Sequence, residues 1–287
     1  TGPNGENPGG RDIEVDDIDG DGFQDIIFTA SSSSFRNKLW ILKGNGTDNG
    51  ILDFDPLESI DMGSIASDFS LGDFNGDGQS DILWGRFGEV KLLLNDALGT
   101  GTFTHTNVID LPSYGNFVTV GDVNNDGRDE FIWERDERIN NQRFTYLSAF
   151  ALRPDGSVTA ITEYDLNGAS DYSHLDIFDS DIVAAQVVDL NQDGLNDLVV
   201  HHSLEYNNEP AENNYLSVFI TQADAPPLRI DTPVLSGNSS YQTLDTGDIN
   251  ADGLVDVVLG GSRHILVMLG EGDGTFNRQE QAMYEGL

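Results

Sequence analysis

The chain has 287 residues, of which 50 are acidic and 14 are basic, and its formal net charge at pH 7 is −36. Such a surface repels nucleic acids and anionic membranes, so we expect neither as a partner. Hydrophobic residues make up 38% of the chain, enough for a sizeable core. No run approaches the roughly 18–20 continuous apolar residues of a membrane-spanning helix, and we expect no membrane insertion.

In chain order, one pattern of segments recurs five times. A short, partly alternating segment (first RDIEV) precedes an acidic nonapeptide (first DIDGDGFQD), and an apolar run such as IIF follows it. A second hydrophobic segment such as KLWILKG and a more polar one such as FDPLESIDM complete the unit. These segments have the length of strands and are rich in β-branched and aromatic residues. No stretch shows helical periodicity, so the sequence predicts an all-β protein.

The spacing of the units predicts the architecture. The nonapeptides begin at intervals of 56, 49, 67 and 59 residues, and four strands per unit of this size are typical of a β-propeller. The apolar run after each nonapeptide predicts a strand buried on both faces. An open solenoid is the alternative architecture. We predict a single domain over residues 1–287, with five four-stranded blades at approximately 11–66, 67–115, 116–180, 181–239 and 240–287.

Each nonapeptide has oxygen-bearing side chains at positions 1, 3, 5 and 9 and a glycine at position 6. Alternate side chains of a tightly curled loop can point to one centre, and the glycine permits the sharp turn. Hard oxygen donors without His or Cys favour Ca²⁺, and we expect about five ions, one per blade. The predicted ligands are Asp17, Asp19, Asp21, Asp25, Asp73, Asn75, Asp77, Asp81, Asp122, Asn124, Asp126, Glu130, Asp189, Asn191, Asp193, Asp197, Asp248, Asn250, Asp252 and Asp256.

Two other interpretations of the nonapeptide fit less well. An EF-hand loop needs a Glu at position 12 and flanking helices, and the five residues at position 12 are Phe28, Trp84, Trp133, Val200 and Leu259. Asp, Asn and Gly also mark ordinary turns, but five copies with the same four positions filled favour a metal loop. Glu130 is one methylene longer than the Asp of the other copies, which makes the third loop the least regular.

The stretches GDFNGDGQSDILW, GDINADGLVDVVLGG, LLLNDALGTGTFTH and LGEGDGTFNRQ resemble the FG-GAP/VCBS repeats of integrin-α-like β-propellers. This resemblance covers essentially the whole chain. It implies a propeller whose calcium loop joins the first and second strands of each blade. It also implies an extracytoplasmic setting and roles in adhesion or carbohydrate recognition, since some members are lectins and others accompany or are polysaccharide-degrading enzymes. Integrin-type propellers have seven blades, whereas five units are present here.

Two further stretches are candidates for ligand binding. His201, His202 and Tyr206 lie in VVHHSLEYNNEPAENNY, which reads as a strand followed by a long polar insertion; a decorated hairpin loop is the alternative. Arg135 and Arg138 lie in WERDERINNQRF, where a guanidinium group could bind a carboxylated or sulfated glycan. Local pairing with neighbouring acidic residues is the alternative for the arginines.

Three functions follow as hypotheses, and no catalytic residue can be assigned. The first is a calcium-stabilised extracellular module that binds a glycan or a cell-surface protein. The second is a polysaccharide lyase or hydrolase on a propeller scaffold, and the third is a structural spacer in a larger adhesin. Fold alone does not choose among them. We expect a secreted or cell-surface protein whose signal peptide is absent from this sequence.

Overall fold

The computed structural model describes residues 10–30, 38–48, 51–62, 68–86, 89–95, 102–105, 109–111, 117–139, 142–166, 177–206, 213–234, 241–261 and 264–282. Every regular element within these ranges is a β-strand, which confirms the all-β prediction. The chain divides into two compact units, Thr1–Phe117 with Leu152–Val158, and Val118–Ala151 with Thr159–Leu287.

The first unit contains two antiparallel sheets and a hairpin. The first six strands are β1 (Gly10–Asp16), β2 (Asp25–Ala30), β3 (Lys38–Leu42), β4 (Gly44–Asp48), β5 (Ile51–Phe54) and β6 (Glu58–Asp61). The first sheet has the order β1-β2-β3-β6, and β4 and β5 form a separate two-stranded sheet. The next five are β7 (Asp68–Gly72), β8 (Asp81–Arg86), β9 (Glu89–Asn95), β10 (Phe103–His105) and β11 (Ile109–Asp110). The second sheet has the order β7-β8-β9-β10, with β11 also pairing with β9.

Three more four-stranded sheets lie wholly or largely in the second unit, and each has its strands in chain order. The third comprises β12 (Phe117–Gly121), β13 (Glu130–Ile139), β14 (Gln142–Leu152) and β15 (Val158–Asp165). The fourth comprises β16 (Ile177–Val188), β17 (Asp197–Tyr206), β18 (Asn213–Gln222) and β19 (Ala225–Val234). The fifth comprises β20 (Tyr241–Gly247), β21 (Asp256–Gly261), β22 (His264–Gly270) and β23 (Phe276–Ala282).

The hydrophobic cores lie between consecutive sheets of the same unit. In the first unit, Ile27 of β2 and Leu93 of β9 belong to one buried cluster. In the second unit, one cluster joins the third and fourth sheets and another joins the fourth and fifth. The strands β8, β13 and β17 are buried at successive positions, as Trp84 and Trp133 illustrate. In β2 and β21, half-buried residues lie between buried ones. The burial that the apolar runs predict is therefore present in three of the five second strands.

Three of the described strands exceed the four-per-unit prediction. They are β4 and β5, which form the hairpin after β3, and the two-residue β11. Gly46 of β4 has a φ of +79°, and a Cβ there would lie 2.5 Å from the ring of Phe23. The hairpin therefore packs against the first nonapeptide, where only glycine fits. The composition of β4, GNGTD, is typical of a loop and does not predict a strand.

Candidate metal centre

All five nonapeptides occupy the same place in their sheets. The first joins β1 to β2, the second β7 to β8, the third β12 to β13, the fourth β16 to β17 and the fifth β20 to β21. Each is thus the connection between the first and second strands of a four-stranded arrangement. This equivalence brings position 9 to the first residue of the second strand in every sheet.

Two left-handed residues curl each loop. Position 4 has a φ of +71° and +78° at Gly20 and Gly76, and of 55°, 60° and 63° at Asn125, Gln192 and Ala251. Position 6 is always glycine, with φ between 83° and 91°. A Cβ at any of the five position-6 glycines would meet no atom within 4 Å, so the backbone conformation and not space requires glycine there. The turn that the sequence predicts at position 6 is present in every loop.

The side chains at positions 1 and 5 fold back onto the backbone of every loop, and those at position 3 do so in the second to fifth loops. In the fourth loop, Asp189 accepts hydrogen bonds from the amides of Asp193 and Gly194, at 3.2 and 3.0 Å. Asn191 accepts from the amide of Asp193 at 3.1 Å, and Asp193 accepts from the amide of Leu195 at 2.8 Å. The bonds to positions 1 and 5 recur in the other four loops. The loops therefore hold their acidic side chains close together.

Position 9 anchors the loop to the sheet. Asp197 is fully buried; one of its carboxylate oxygens accepts from the amide of Leu190, and the other accepts from the amide of Thr221 near the end of β18. The equivalent carboxylates of the first, second and fifth loops are also fully buried and accept the same two kinds of bond. A buried carboxylate that receives backbone donors on both oxygens ties the loop to the end of a more distant strand.

The third loop departs from this arrangement because its position 9 is Glu130. One Glu130 oxygen accepts from the amide of Val123, as in the other loops, at 3.2 Å. The other accepts from the side-chain amide of Asn124, at position 3, at 2.9 Å. The extra methylene carries the carboxylate toward a predicted ligand of its own loop. This is the irregularity that the longer side chain suggests.

Burial raises the pKa of Asp25, Asp81, Glu130 and Asp197, the position-9 acids of the first four loops. It raises the pKa of Asp81 to about 7, with the charge of Asp77 adding to the rise. It raises the pKa of Glu130 to about 8, again with help from a carboxylate of the same loop. The pKa values of Asp25 and Asp197 are also raised, with burial as the largest cause. These carboxyl groups lie in surroundings that disfavour negative charge, which a nearby cation would offset.

The first loop supplies the densest group of carboxylates among the described residues. Asp17, Asp19 and Asp21 each place a carboxylate oxygen within 4.8 Å of the other two. One oxygen of Asp19, Oδ1, is buried and has no hydrogen-bond partner within the part of the chain that the structure describes. An unpartnered buried oxygen among hard oxygen donors fits a divalent cation such as Ca²⁺. This cluster could therefore hold a metal ion.

The two histidines lie inside a strand rather than in a polar insertion. His201 and His202 are fully buried in β17, where they pair with Leu216 and Tyr215 of β18. Burial lowers the pKa of His201 to about 4 and that of His202 to about 3. Tyr206 ends the same strand, and its side chain lies outside the described part of the structure. Two polar residues therefore occupy fully buried positions of this strand.

A buried polar network surrounds His202, and sequence patterns do not reveal it. The Ser217 hydroxyl donates to Asp231 at 2.6 Å and lies 2.7 Å from His202 Nε2. Nε2 must then carry the ring hydrogen and donate a hydrogen bond to the hydroxyl oxygen, which accepts it. Arg229 donates to Asp231 at 2.8 Å and to the carbonyl of Asp165, at the end of β15, at 2.6 Å. The network links β17, β18 and β19 and ties the fourth sheet to the third.

Arg135 is paired across its sheet with a residue remote in sequence. Its guanidinium group donates to Glu163 of β15 at 2.6 Å and lies 4.7 Å from the ring centre of Tyr146. Antiparallel pairing of β13 with β14 places Arg135 opposite Tyr146. Arg138 lies in β13, and its side chain is outside the described residues. The two candidate stretches therefore supply no common site among the described side chains.

Comparison with known proteins supports the repeat. Residues 17–84 and 73–133 match the family model described as FG-GAP-like repeat. Residues 17–133 therefore carry FG-GAP-like repeats, which confirms the resemblance for the first three nonapeptides. No curated protein matches the chain significantly. None of the described residues forms a helix long and apolar enough to cross a membrane.

Two solved structures show a similar fold. One is an Agrocybe aegerita lectin, described for its specific recognition of non-reducing terminal N-acetylglucosamine. It is 19% identical with a TM-score of 0.54, and the alignment covers 94% of this chain and 65% of the lectin chain. The other is a protein from Lactobacillus plantarum, 11% identical with a TM-score of 0.50, covering 95% of this chain and 84% of that one. At these identities the likeness concerns the fold alone.

Proposed function

We propose that the protein is a calcium-stabilised extracellular module that recognises carbohydrate, with its five sheets as the blades of a β-propeller. The observation that carries the proposal is the equivalence of the five loops. Each lies between the first and second strands and gathers acidic side chains around one curled backbone. Such a constellation, repeated in every sheet, favours a bound cation at each loop over a set of ordinary turns.

The chain's own residues suit this role. The side chains at positions 1, 3 and 5, which fold into the loop, would hold the ion together with position 9. The ion supplies positive charge to a group of acids whose repulsion otherwise opposes folding. Position 9 would transmit the effect, because its carboxylate accepts backbone amides from its own loop and from a distant strand end. In the extracellular setting we propose, calcium modules bind with dissociation constants of about 10⁻⁴–10⁻³ M.

The fold likeness to a lectin supports carbohydrate as the ligand class to test first. The likeness covers 65% of that lectin's chain, and its ligand is a starting probe and no more. The enzyme hypothesis loses its best candidates, because His201 and His202 are fully buried and cannot touch a polymer in this fold. Protein adhesion and a spacer function remain as the outcomes that a negative glycan experiment would favour.

A glycan array probed with labelled protein tests the proposal. We expect binding in millimolar Ca²⁺, loss of binding in EDTA and no shortening of the bound glycan. Glycans with non-reducing terminal N-acetylglucosamine belong in the first set. Asp73→Asn with Asp77→Asn serves as a variant weakened in one loop, and its calcium titration shows whether glycan binding follows metal occupancy. A blank array with folded, calcium-loaded protein would overturn the carbohydrate part while leaving the calcium part intact.

A further inference from the structure

At its ligand positions, the first loop carries one more acid than each of the other four. At position 3 it has Asp19, and the four other loops have Asn75, Asn124, Asn191 and Asn250. Positions 1, 5 and 9 are acidic in every loop. At positions 1, 3, 5 and 9 the first loop therefore holds four carboxylates, where each other loop holds three. With no compensation, a fourth negative charge would strengthen repulsion in the empty loop and attraction for a divalent ion.

Lys43 supplies a compensating charge. Its ammonium nitrogen lies 3.5 Å from Asp19 Oδ2, and the two side chains are only 14% and 19% exposed. The contact involves the fourth carboxylate, at the very position that distinguishes this loop. The other Asp19 oxygen, Oδ1, is buried without a hydrogen-bond partner among the described residues and stays available to a cation. With Lys43 counted, the first loop has the same formal charge of minus three as each of the others.

The lysine stands where the other sheets have apolar residues. It follows Leu42, which pairs with Ile26, the residue after position 9. In each of the other four sheets, the residue after position 9 also pairs with a residue of the third strand. The residues that follow those partners, and so are equivalent to Lys43, are Leu94, Ala151, Ile220 and Leu269. The next residue confirms the register, because the amide of Gly44 donates to Asp25 as the amide of Thr221 donates to Asp197. Lys43 and Asp19 thus both differ in charge from their equivalents in the other four sheets, and they contact each other.

We propose that Lys43 is an affinity-setting residue of the first loop, a resident counter-charge that weakens divalent-cation binding there. The inference rests on the proposed calcium binding and concerns the regulation of that site. An ammonium group beside Asp19 repels a divalent ion and engages one of the oxygens the ion would use. In the absence of the ion it relieves repulsion among Asp17, Asp19 and Asp21. The first loop is therefore the least dependent on calcium for its own order.

A site-resolved calcium titration tests this inference. The amides of Gly22, Gly78 and Gly194 donate to the position-1 carboxylates, so their ¹⁵N–¹H resonances report on the first, second and fourth loops. In Lys43→Met, which keeps an unbranched apolar stem, we expect the half-saturating Ca²⁺ concentration at Gly22 to fall by about tenfold. The resonances of Gly78 and Gly194 should keep their wild-type midpoints.

Three further variants separate charge from packing. Lys43→Arg keeps the charge and should leave the Gly22 midpoint within about twofold of wild type. Asp19→Asn removes the partner of Lys43, and adding Lys43→Met to it should shift the midpoint much less than in the wild-type background, because the lysine is no longer held at the loop. Asn191→Asp adds a fourth carboxylate to a loop that lacks a lysine, and it should lower the Gly194 midpoint.

Each outcome has one meaning. An unchanged or raised Gly22 midpoint in Lys43→Met overturns the inference, as does an equal fall in Lys43→Arg. If no glycine resonance responds to millimolar Ca²⁺ in the wild type, the proposed calcium binding itself fails. A variant that unfolds without the ion can still be titrated from the calcium-loaded side by adding chelator. The midpoint is then read from the same resonances.

Discussion

The first and fourth loops share one backbone and differ in what surrounds it. In both, positions 4 and 6 are left-handed and the position-9 carboxylate is buried under two backbone amides. The first loop meets a lysine and a hairpin, whereas the fourth loop meets Ile220 at the equivalent place. The fourth loop is also bonded to the third and the fifth, through Asn125 and Gln192 respectively. The repeated motif therefore determines the backbone conformation of each loop, while the residues around it determine its net charge and its hydrogen bonds to other loops.

Removal of calcium should have the largest effect on stability, and it should affect the fourth loop more than the first. Where Ca²⁺ is in hundredfold excess over its dissociation constant, chelation should lower the free energy of unfolding by about 2–3 kcal/mol per site. The amide of Thr221, bonded to Asp197, should gain more hydrogen exchange than that of Gly44, bonded to Asp25, because Lys43 partly replaces the ion in the first loop. Hydrogen exchange followed by NMR, with and without EDTA, measures both amides. Equal gains would contradict the comparison.

Loss of the position-9 anchor should come next. Asp197→Ala leaves the amides of Leu190 and Thr221 buried without acceptors, and we expect a loss of about 3 kcal/mol in the free energy of unfolding. Asp25→Ala should cost a similar amount, since the anchor is common to both loops. Urea unfolding in saturating Ca²⁺ measures both losses. Asp197→Asn, which retains one acceptor oxygen, is the matched control and should cost less.

Acid should destabilise the strand after the fourth loop more than the strand after the first. His201 and His202 have folded-state pKa values of about 4 and 3, below the ordinary value of about 6.5. Below about pH 6.5 these histidines bind protons in the unfolded chain but stay neutral in the folded chain, so the free energy of unfolding decreases as the pH falls. Each histidine should contribute a loss of about 2 kcal/mol between pH 6.5 and 5. The equivalent residues of β2 are Thr29 and Ala30, which do not titrate.

Urea unfolding at pH 7 and pH 5 in saturating Ca²⁺ checks this expectation. His202→Asn should flatten the pH dependence, whatever it does to stability at pH 7, because it removes one of the two titrating groups. An unchanged slope in this variant would show that His202 does not carry the effect. Protection of β17 amides against hydrogen exchange should fall before that of β2 amides as the pH is lowered.

The bonds between neighbouring loops should give the smallest effect. Asn196 at position 8 of the fourth loop donates to the carbonyl of Asp122, the first residue of the third loop, at 2.8 Å. Asn196→Ala should reduce stability by about 1 kcal/mol and raise the half-saturating Ca²⁺ concentration at the third loop. Gly127 reports on that loop, as its amide donates to Asp122. Ser80→Ala is the counterpart in the first unit, where Ser80 donates to Asp16, and it should leave the Gly127 midpoint unchanged.

Most of the local structure could be predicted because it follows from near neighbours in the chain. The position-6 glycine needs a left-handed φ, and the oxygens at positions 1, 3 and 5 bond amides two to five residues away. The apolar runs after the second, third and fourth loops are buried at successive positions as expected, and all five runs form strands. The hairpin of β4 and β5 was missed, since its Gly-rich sequence has the composition of a loop and its packing depends on Phe23.

The sequence by itself determined the all-β class, the repeat, and the positions where acidic oxygens gather, because each of these depends on patterns within nine residues or on strand periodicity. Only the tertiary structure decided which residues meet across strands. It placed Lys43 beside Asp19, paired Arg135 with Glu163, and buried His202 against Ser217. The physical reason is that antiparallel register brings together residues far apart in the chain, and no local pattern records those contacts.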